Sequence, residues 1–288
     1  MEIKIKCIHC RQSHYIKKGF RKTENRGKIQ LYRCLACSRK FSNDEGFYRM
    51  RNSEAKITQA IDLYYSHLSS RKIRNHFRRH LDHNASHETI LAWARRYVLK
   101  VQKYVDTLKP QLSGKIYADE TEIDCEDRND IFWCAIDWDT RFINATLYSP
   151  KAQNVDDAIT FMRRIKLYKR PKYIQTDAGM FYPRAFHKVF WTQHTQEEPI
   201  EHIIINKQKT GRYNVRIETV FSKIKDRVDD FRGLKALWSA PILMAGIVLQ
   251  HNFIEEHTTT RVRPCELAGI KVGEEPNKWL ELIKLASA

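Results

Sequence analysis

Three acidic residues stand out by placement rather than by number. Asp119 lies in the apolar run KIYADET, Asp177 ends another in KYIQTDAG, and Glu218 sits inside the helical pattern NVRIETVFSKIKDR. Carboxylates are hard oxygen ligands suited to Mg²⁺, and a pair of such ions can clamp the attacking and leaving oxygens of a displacement at phosphorus. Along its strand Asp119 alternates with Tyr117, Thr121 and Ile123, whereas Glu120, Glu122 and Asp124 take the opposite parity and run into a polar turn. A carboxylate among apolar neighbours is costly without a compensating cation, which singles out Asp119. Asp177 precedes Ala178 and Gly179 at the C-terminal end of a strand, where open sheets hold their ligands; alone it reads as well as an ordinary turn aspartate. Around Glu218, residues Ile217, Val220, Phe221, Ile224 and Val228 form an apolar stripe. Glu218, Ser222 and Lys225 line up on another face, because a seven-residue step is nearly two helical turns. A surface ion pair explains Glu218 and Lys225 as readily as a metal ligand beside a cationic grip on substrate.

The elements that must position these acids are readable from the pattern. A polar linker at Lys109 and Pro110, ending near Gly114, opens the second part of the chain. Strands are expected at Lys115–Thr121, Ile131–Asp137 and Arg141–Ser149, then a helix at Val155–Ile165 and a strand at Lys172–Thr176. A helix at Pro183–Trp191, a strand at Glu201–Ile205 and a long helix from about Asn214 complete the series. A mixed five-stranded sheet with helices on both faces accounts for this order, which resembles the ribonuclease-H-like arrangement. After Gly233, residues Leu234–Ile254 read as a buried helical cover carrying Trp238, Met244 and Val248. Its apolar run Ala240–Leu249 is half the ~20 residues a bilayer requires, so it is a core helix and not a span.

The front of the chain has a different chemistry. The formal net charge is +17, yet residues 1–110 carry 25 Lys and Arg against 9 Asp and Glu, and residues 111–288 carry 26 against 25. A basic front half on a neutral back half points to a polyanion-gripping region attached to a working domain, with nucleic acid favoured over a membrane. Cys7 and Cys10 form one CxxC pair and Cys34 and Cys37 another, with 23 residues between the pairs. That spacing fits a tetrahedral structural Zn²⁺ site in a small ribbon whose folding the metal supports. His9 and His14 are surface residues on this reading, and Cys125, Cys134 and Cys265 only pack. The chain enters the cysteine motif within seven residues, leaving no room for a secretory signal, so an intracellular, cytoplasmic or nucleoid-associated protein is expected.

Residues 54–104 read as three helices. The first, Glu54–Tyr65, brings Ile57, Ile61, Leu63 and Tyr64 near one face; the second spaces Ile73, Phe77 and Leu81 by four; the third is capped by Ser86 and buries Ile90, Leu91, Ala94 and Val98. This fits a helix-turn-helix, with Arg71, Lys72, Arg74, Arg78 and Arg79 suited to duplex phosphates and Arg95 and Arg96 on the third helix.

Taken together, ADET at 118–121, TDAGMFY at 176–182 and the run from Arg212 to Lys235 resemble the DDE-type insertion-sequence transposases, whose catalytic core is of the retroviral-integrase, ribonuclease-H-like kind. The Glu followed seven residues later by Lys, and a Tyr five residues after the second Asp, here Tyr182, are marks of that family. The 40 residues between Asp177 and Glu218 exceed the family's usual spacing. The resemblance implies catalysis by Asp119, Asp177 and Glu218 holding two Mg²⁺ or Mn²⁺ ions, hydrolysis at transposon ends, and attack of the freed 3′-hydroxyl on target DNA. Lys225 would grip the DNA strand beside the site. Lys207, Arg212, Asn214 and Arg216 contact phosphates or lie solvated in a loop. The expected organisation is a zinc ribbon at 1–48, a helix-turn-helix domain at 49–108 and a catalytic domain at 109–288 with a helical cover from about 236. A dimer or larger assembly on DNA is expected, since two ends must be joined. A transposase-derived DNA-binding regulator and a nuclease without joining activity are the rival readings.

Overall fold

Two cysteine pairs flanking a strand-like run, and a longer alternation of strands and helices behind them, predict separate small and large bodies. The computed structural model describes residues 5–23, 27–42, 45–81, 85–150, 153–191, 199–206 and 215–287, and divides into two units: residues 1–64, 70–107 and 273–288, and residues 65–69 and 108–272.

In the first unit, β1 (Tyr15–Thr23), β2 (Gly27–Cys34) and β3 (Lys40–Ser42) form an antiparallel sheet in the order β1-β2-β3. Tyr15, Tyr32 and Phe41 pack as a small aromatic core beside the cysteines. Three helices follow: α1 (Glu54–Tyr65), α2 (Ser70–His80) and α3 (His87–Val105). They bury Ile57 and Ile61, Ile73 and Phe77, and Ile90, Trp93, Ala94, Tyr97 and Val98, as the periodicity predicts, except that Leu91, at the edge of the apolar stripe, is only partly buried. The Ser86 side chain accepts the Thr89 N–H at 3.2 Å and caps α3, as a serine at that position should. Leu81 departs from expectation: α2 stops at His80, and Leu81, beyond its last turn, is 36% exposed.

The second unit carries β4 (Lys115–Cys125), β5 (Arg128–Asp137), β6 (Ile143–Ser149), β7 (Tyr173–Asp177) and β8 (Glu201–Ile205) in the sheet order β6-β5-β4-β7-β8. The first three pair antiparallel as a meander, and β4, β7 and β8 pair parallel. β4 and β5 extend to a two-residue turn at Glu126 and Asp127, whose φ values of 52° and 58° are those of the left-handed turn that suits a tight hairpin. One sheet face buries Ile116, Ala118, Trp133 and Ala135 against α4 (Val155–Ile165) and α5 (Phe181–Phe190). On the other face α6 (Val215–Asp230) packs on β4 and β5, and α7 (Ala240–Leu249) packs on β6. A wider π turn, Gln250–Ile254, prolongs α7. There the Asn252 amide brackets the Ile143 peptide, accepting its N–H and donating to its carbonyl, both at 2.9 Å. Gly233 ends α6 with φ +74°, and a Cβ there would stand 2.3 Å from the Asp124 carboxylate, so the tight exit from α6 requires glycine.

Two expectations for the C-terminal cover are corrected. Trp238 lies in the turn before α7 and is 66% exposed, because the buried helix starts only at Ala240. Beyond the short α8 (Pro264–Leu267), residues 273–288 group with the first unit, where α9 (Lys278–Leu285) packs on α3 through buried Trp279, Leu282 and Ile283. Among the described residues, no helix is long and apolar enough to cross a membrane.

Candidate active site and cysteine cluster

The register of the parallel pair brings the two aspartates together. β4 and β7 pair as Lys115–Tyr173, Ile116–Ile174 and Tyr117–Gln175, and the same offset two residues further on opposes Asp119 to Asp177. In-register residues of parallel strands share a face. Asp119 and Asp177 therefore lie on the side opposite the Trp133 core, the side on which α6 packs. The Asp177 carboxylate accepts the Gly179 N–H at 2.9 Å, an Asx turn that reverses the chain into α5. Carboxylate oxygens of Asp119, Glu120 and Asp177 all lie within 4.8 Å of one another.

Glu120 corrects the parity argument. It projects to the other face of β4, opposite Trp133 in register, and instead of reaching solvent it is partly buried. The Tyr182 hydroxyl donates to one of its oxygens, and the Gln153 amide donates to the other at 2.9 Å. Burial pushes the Glu120 carboxyl up to about 8 against the pull of the Tyr182 hydrogen bond, and Asp119 and Asp177 push it the same way. Like charges brought this close repel one another, and a bound cation relieves that. Tyr182 itself is fully buried, and desolvation first, then Glu120, keeps its hydroxyl protonated.

Glu218 stands in the first turn of α6, partly buried, on the helix that packs on β4. It is not one of the three acids grouped within 4.8 Å. The apolar stripe Ile217, Val220, Phe221, Ile224 and Val228 is buried throughout, and Lys225 is exposed. Lys207, Arg212, Asn214 and the side chain of Arg216 fall outside the described residues. On α2, Arg71, Lys72, Arg78 and Arg79 are exposed, while Arg74 is partly buried and its guanidinium donates to Asn75. On α3, Arg96 is exposed and Arg95 partly buried. Arg227 is 1% exposed and lies 3.8 Å from the Phe231 ring centroid, a buried arginine that a charge-follows-solvent reading misses.

The sulfurs of Cys7, Cys10, Cys34 and Cys37 also gather within 4.8 Å of one another. Two matching left-handed turns present them: Arg11 at φ 61° follows the first pair, and Ser38 at φ 58° follows the second. The backbone N–H of Cys37 draws the Cys34 thiol down to about 7. The Gln12 N–H favours the Cys10 thiolate too, but burial and the three neighbouring sulfurs push Cys10 up to about 12. Four crowded thiols suit one soft cation, and the cluster is compatible with a zinc ribbon. Cys125, Cys134 and Cys265 are buried in the second unit.

Residues 113–257, half of the chain, match the family described as the DDE domain of IS240-type transposases. The chain belongs to that DDE family. It is accordingly a DDE transposase with a ribonuclease-H-like core, an enzyme of polynucleotidyl transfer, in accord with the resemblance carried by 118–121, 176–182 and 212–235. No curated protein matches the chain. Among solved structures, the HTLV-2 integrase catalytic core domain in complex with magnesium, in its trimeric form, is similar at 15% identity and a TM-score of 0.40, over 56% of this chain and 98% of that one. The simian T-cell lymphotropic virus intasome in complex with PP2A regulatory subunit B56 gamma is similar at 16% identity and a TM-score of 0.37, over 58% of this chain and 59% of that one. The family match and the sheet topology carry the assignment of this DDE domain.

Proposed function

We propose that the protein binds the ends of its own insertion sequence and catalyses metal-dependent strand cleavage followed by transfer of the 3′-hydroxyl into target DNA. The observation that carries this reading is the in-register approach of Asp119 and Asp177 just past the β4–β7 ladder, in a chain of the DDE family. The donor set fits Mg²⁺ or Mn²⁺, because it is all hard carboxylate oxygen. Asp119, Asp177 and Glu218 would hold two such ions, which supply a polarised attacking hydroxyl or water and a stabilised leaving oxygen. Asp119 and Asp177 come from the sheet and Glu218 from α6, which packs on β4, so the helix would bring Glu218 to complete the site. Lys225, exposed two turns beyond Glu218, would bind a phosphate of the strand being cut.

In this reading residues 1–48 form a zinc ribbon, 49–108 a helix-turn-helix domain and 109–272 the catalytic domain with its cover. Four thiolates from Cys7, Cys10, Cys34 and Cys37 would close a structural Zn²⁺ site. Arg71, Lys72, Arg74, Arg78, Arg79, Arg95 and Arg96 would bind the phosphates of the terminal repeat, and Asn214 and Arg216 those near the catalytic helix. Two ends held for joining require a dimer or a larger assembly of the chain on DNA.

With Mg²⁺ or Mn²⁺, purified protein is expected to join an oligonucleotide bearing its terminal repeat to plasmid DNA. Asp119→Asn, Asp177→Asn and Glu218→Gln should each lower joining about 10³-fold or more, the several kcal/mol that metal-borne charge stabilisation supplies, and leave DNA binding intact. Cutting without joining would make the protein a nuclease, and binding with no cleavage a regulator.

A further inference from the structure

The β4–β7 ladder ends at Tyr117–Gln175, two residues short of Asp119 and Asp177. Past that point no β4–β7 ladder pairing ties the strands together, and a bond outside the ladder is needed to hold the two carboxylates at a fixed separation. Glu120 and Tyr182 supply one. Glu120 directly follows Asp119 on β4, Tyr182 lies in the first turn of α5 five residues after Asp177, and the phenol donates to the Glu120 carboxylate. We propose that Glu120 is a positioning residue which, through Tyr182, fixes the distance between the two aspartates.

The geometry favours positioning over direct ligation. Both Glu120 oxygens already accept hydrogen bonds, one from Tyr182 and one from Gln153, and the side chain leaves β4 on the face opposite to Asp119. Tyr182 has little freedom: it is fully buried and meets Trp133 edge-on at 5.8 Å, and Trp133 is the residue paired with Glu120 across β5. The tether therefore runs from Asp119 through Glu120 to a phenol wedged in the core, and back along the Asx turn to Asp177. Partners of this kind orient the groups that ligate a metal, and their loss typically weakens metal binding ten- to a hundredfold.

This inference rests on the two-aspartate metal site proposed above, and the test separates the two. Mn²⁺ is titrated calorimetrically into the full-length, zinc-loaded protein and its variants. Glu120→Gln, whose amide oxygen still accepts from Tyr182, should bind Mn²⁺ with the parental affinity. Glu120→Ala and Tyr182→Phe should each bind about tenfold or more weakly. The double variant should be no weaker than the weaker single, because one tether is lost only once. Parental affinity in Tyr182→Phe, additive losses in the double variant, or a loss in Glu120→Gln equal to that in Glu120→Ala would each overturn the positioning role, the last by making Glu120 a ligand. Asp119→Asn should eliminate this binding; if it retained parental affinity, the aspartate metal site would fall and the tether with it.

Discussion

Asp119 and Asp177 meet because of a register, and a register is a property of two strands, so neither residue alone could announce the site. Their chemical type, and the strand-end placement of Asp177, are legible in KIYADET and KYIQTDAG, and the family marks at Tyr182 and Lys225 sharpen them. The role of Glu120 was not legible. Alternation assumes one wet face, and β4 is covered on both, so burial changes parity from Ile116 and Ala118 to Thr121, Ile123 and Cys125, with Asp119 and Glu120 at the switch. His251 is another residue that pattern could not flag. It lies in the π turn, its ring N–H donates to the Arg141 carbonyl at 2.9 Å, and burial first, then nearby Lys223 and His257, hold it down to about 4. A histidine depressed in the fold binds its proton more readily when unfolded, so its contribution to stability is complete above about pH 6.5 and disappears as pH falls toward 4. Melting temperature should drop between pH 7 and pH 4.5, and His251→Gln, which keeps a donor, should flatten that drop. An unchanged slope in the variant would remove His251 from the acid response.

At the scale of elements, the signals that succeeded were those with a local physical cause. Ser86 caps α3, the Ile73–Phe77 spacing buries α2, and the meander-then-parallel order of strands follows from connection lengths that only crossover helices can bridge. Both strands of the hairpin at Glu126 and Asp127 run longer than their pattern indicates: β4 continues past Thr121 to Cys125 and β5 begins before Ile131 at Arg128, because Glu-Asp lacks the usual Asn-Gly signature. The three-stranded cysteine sheet has a core of a few aromatic rings, too little to hold itself, and the proposed Zn²⁺ would supply the rest of its folding energy. Chelation should therefore abolish a low-temperature melting transition belonging to residues 1–48 while the catalytic transition persists, and Cys34→Ser should do the same without chelator. A melting profile indifferent to chelator would remove the zinc assignment.

Across the whole molecule, charge tells the division of labour more clearly than any single motif does: nearly all of the +17 resides in the first 110 residues. What charge and periodicity cannot tell is where an amphipathic helix docks, since an apolar stripe does not name its partner. That is why residues 273–288, read as part of the catalytic cover, instead group with the first unit through α9 and α3. The same limit governs Glu218, whose stripe predicts burial of α6 but not which carboxylates its other face joins. The central claim is that residues 119, 177 and 218 serve one divalent-metal site. Fe²⁺ bound in place of Mg²⁺, with ascorbate and peroxide, cuts a polypeptide beside its ligands and so tests that claim directly. Cuts beside all three positions, suppressed together by excess Mg²⁺, are expected; cuts beside 119 and 177 with none beside 218, or cuts that Mg²⁺ leaves untouched, would contradict it.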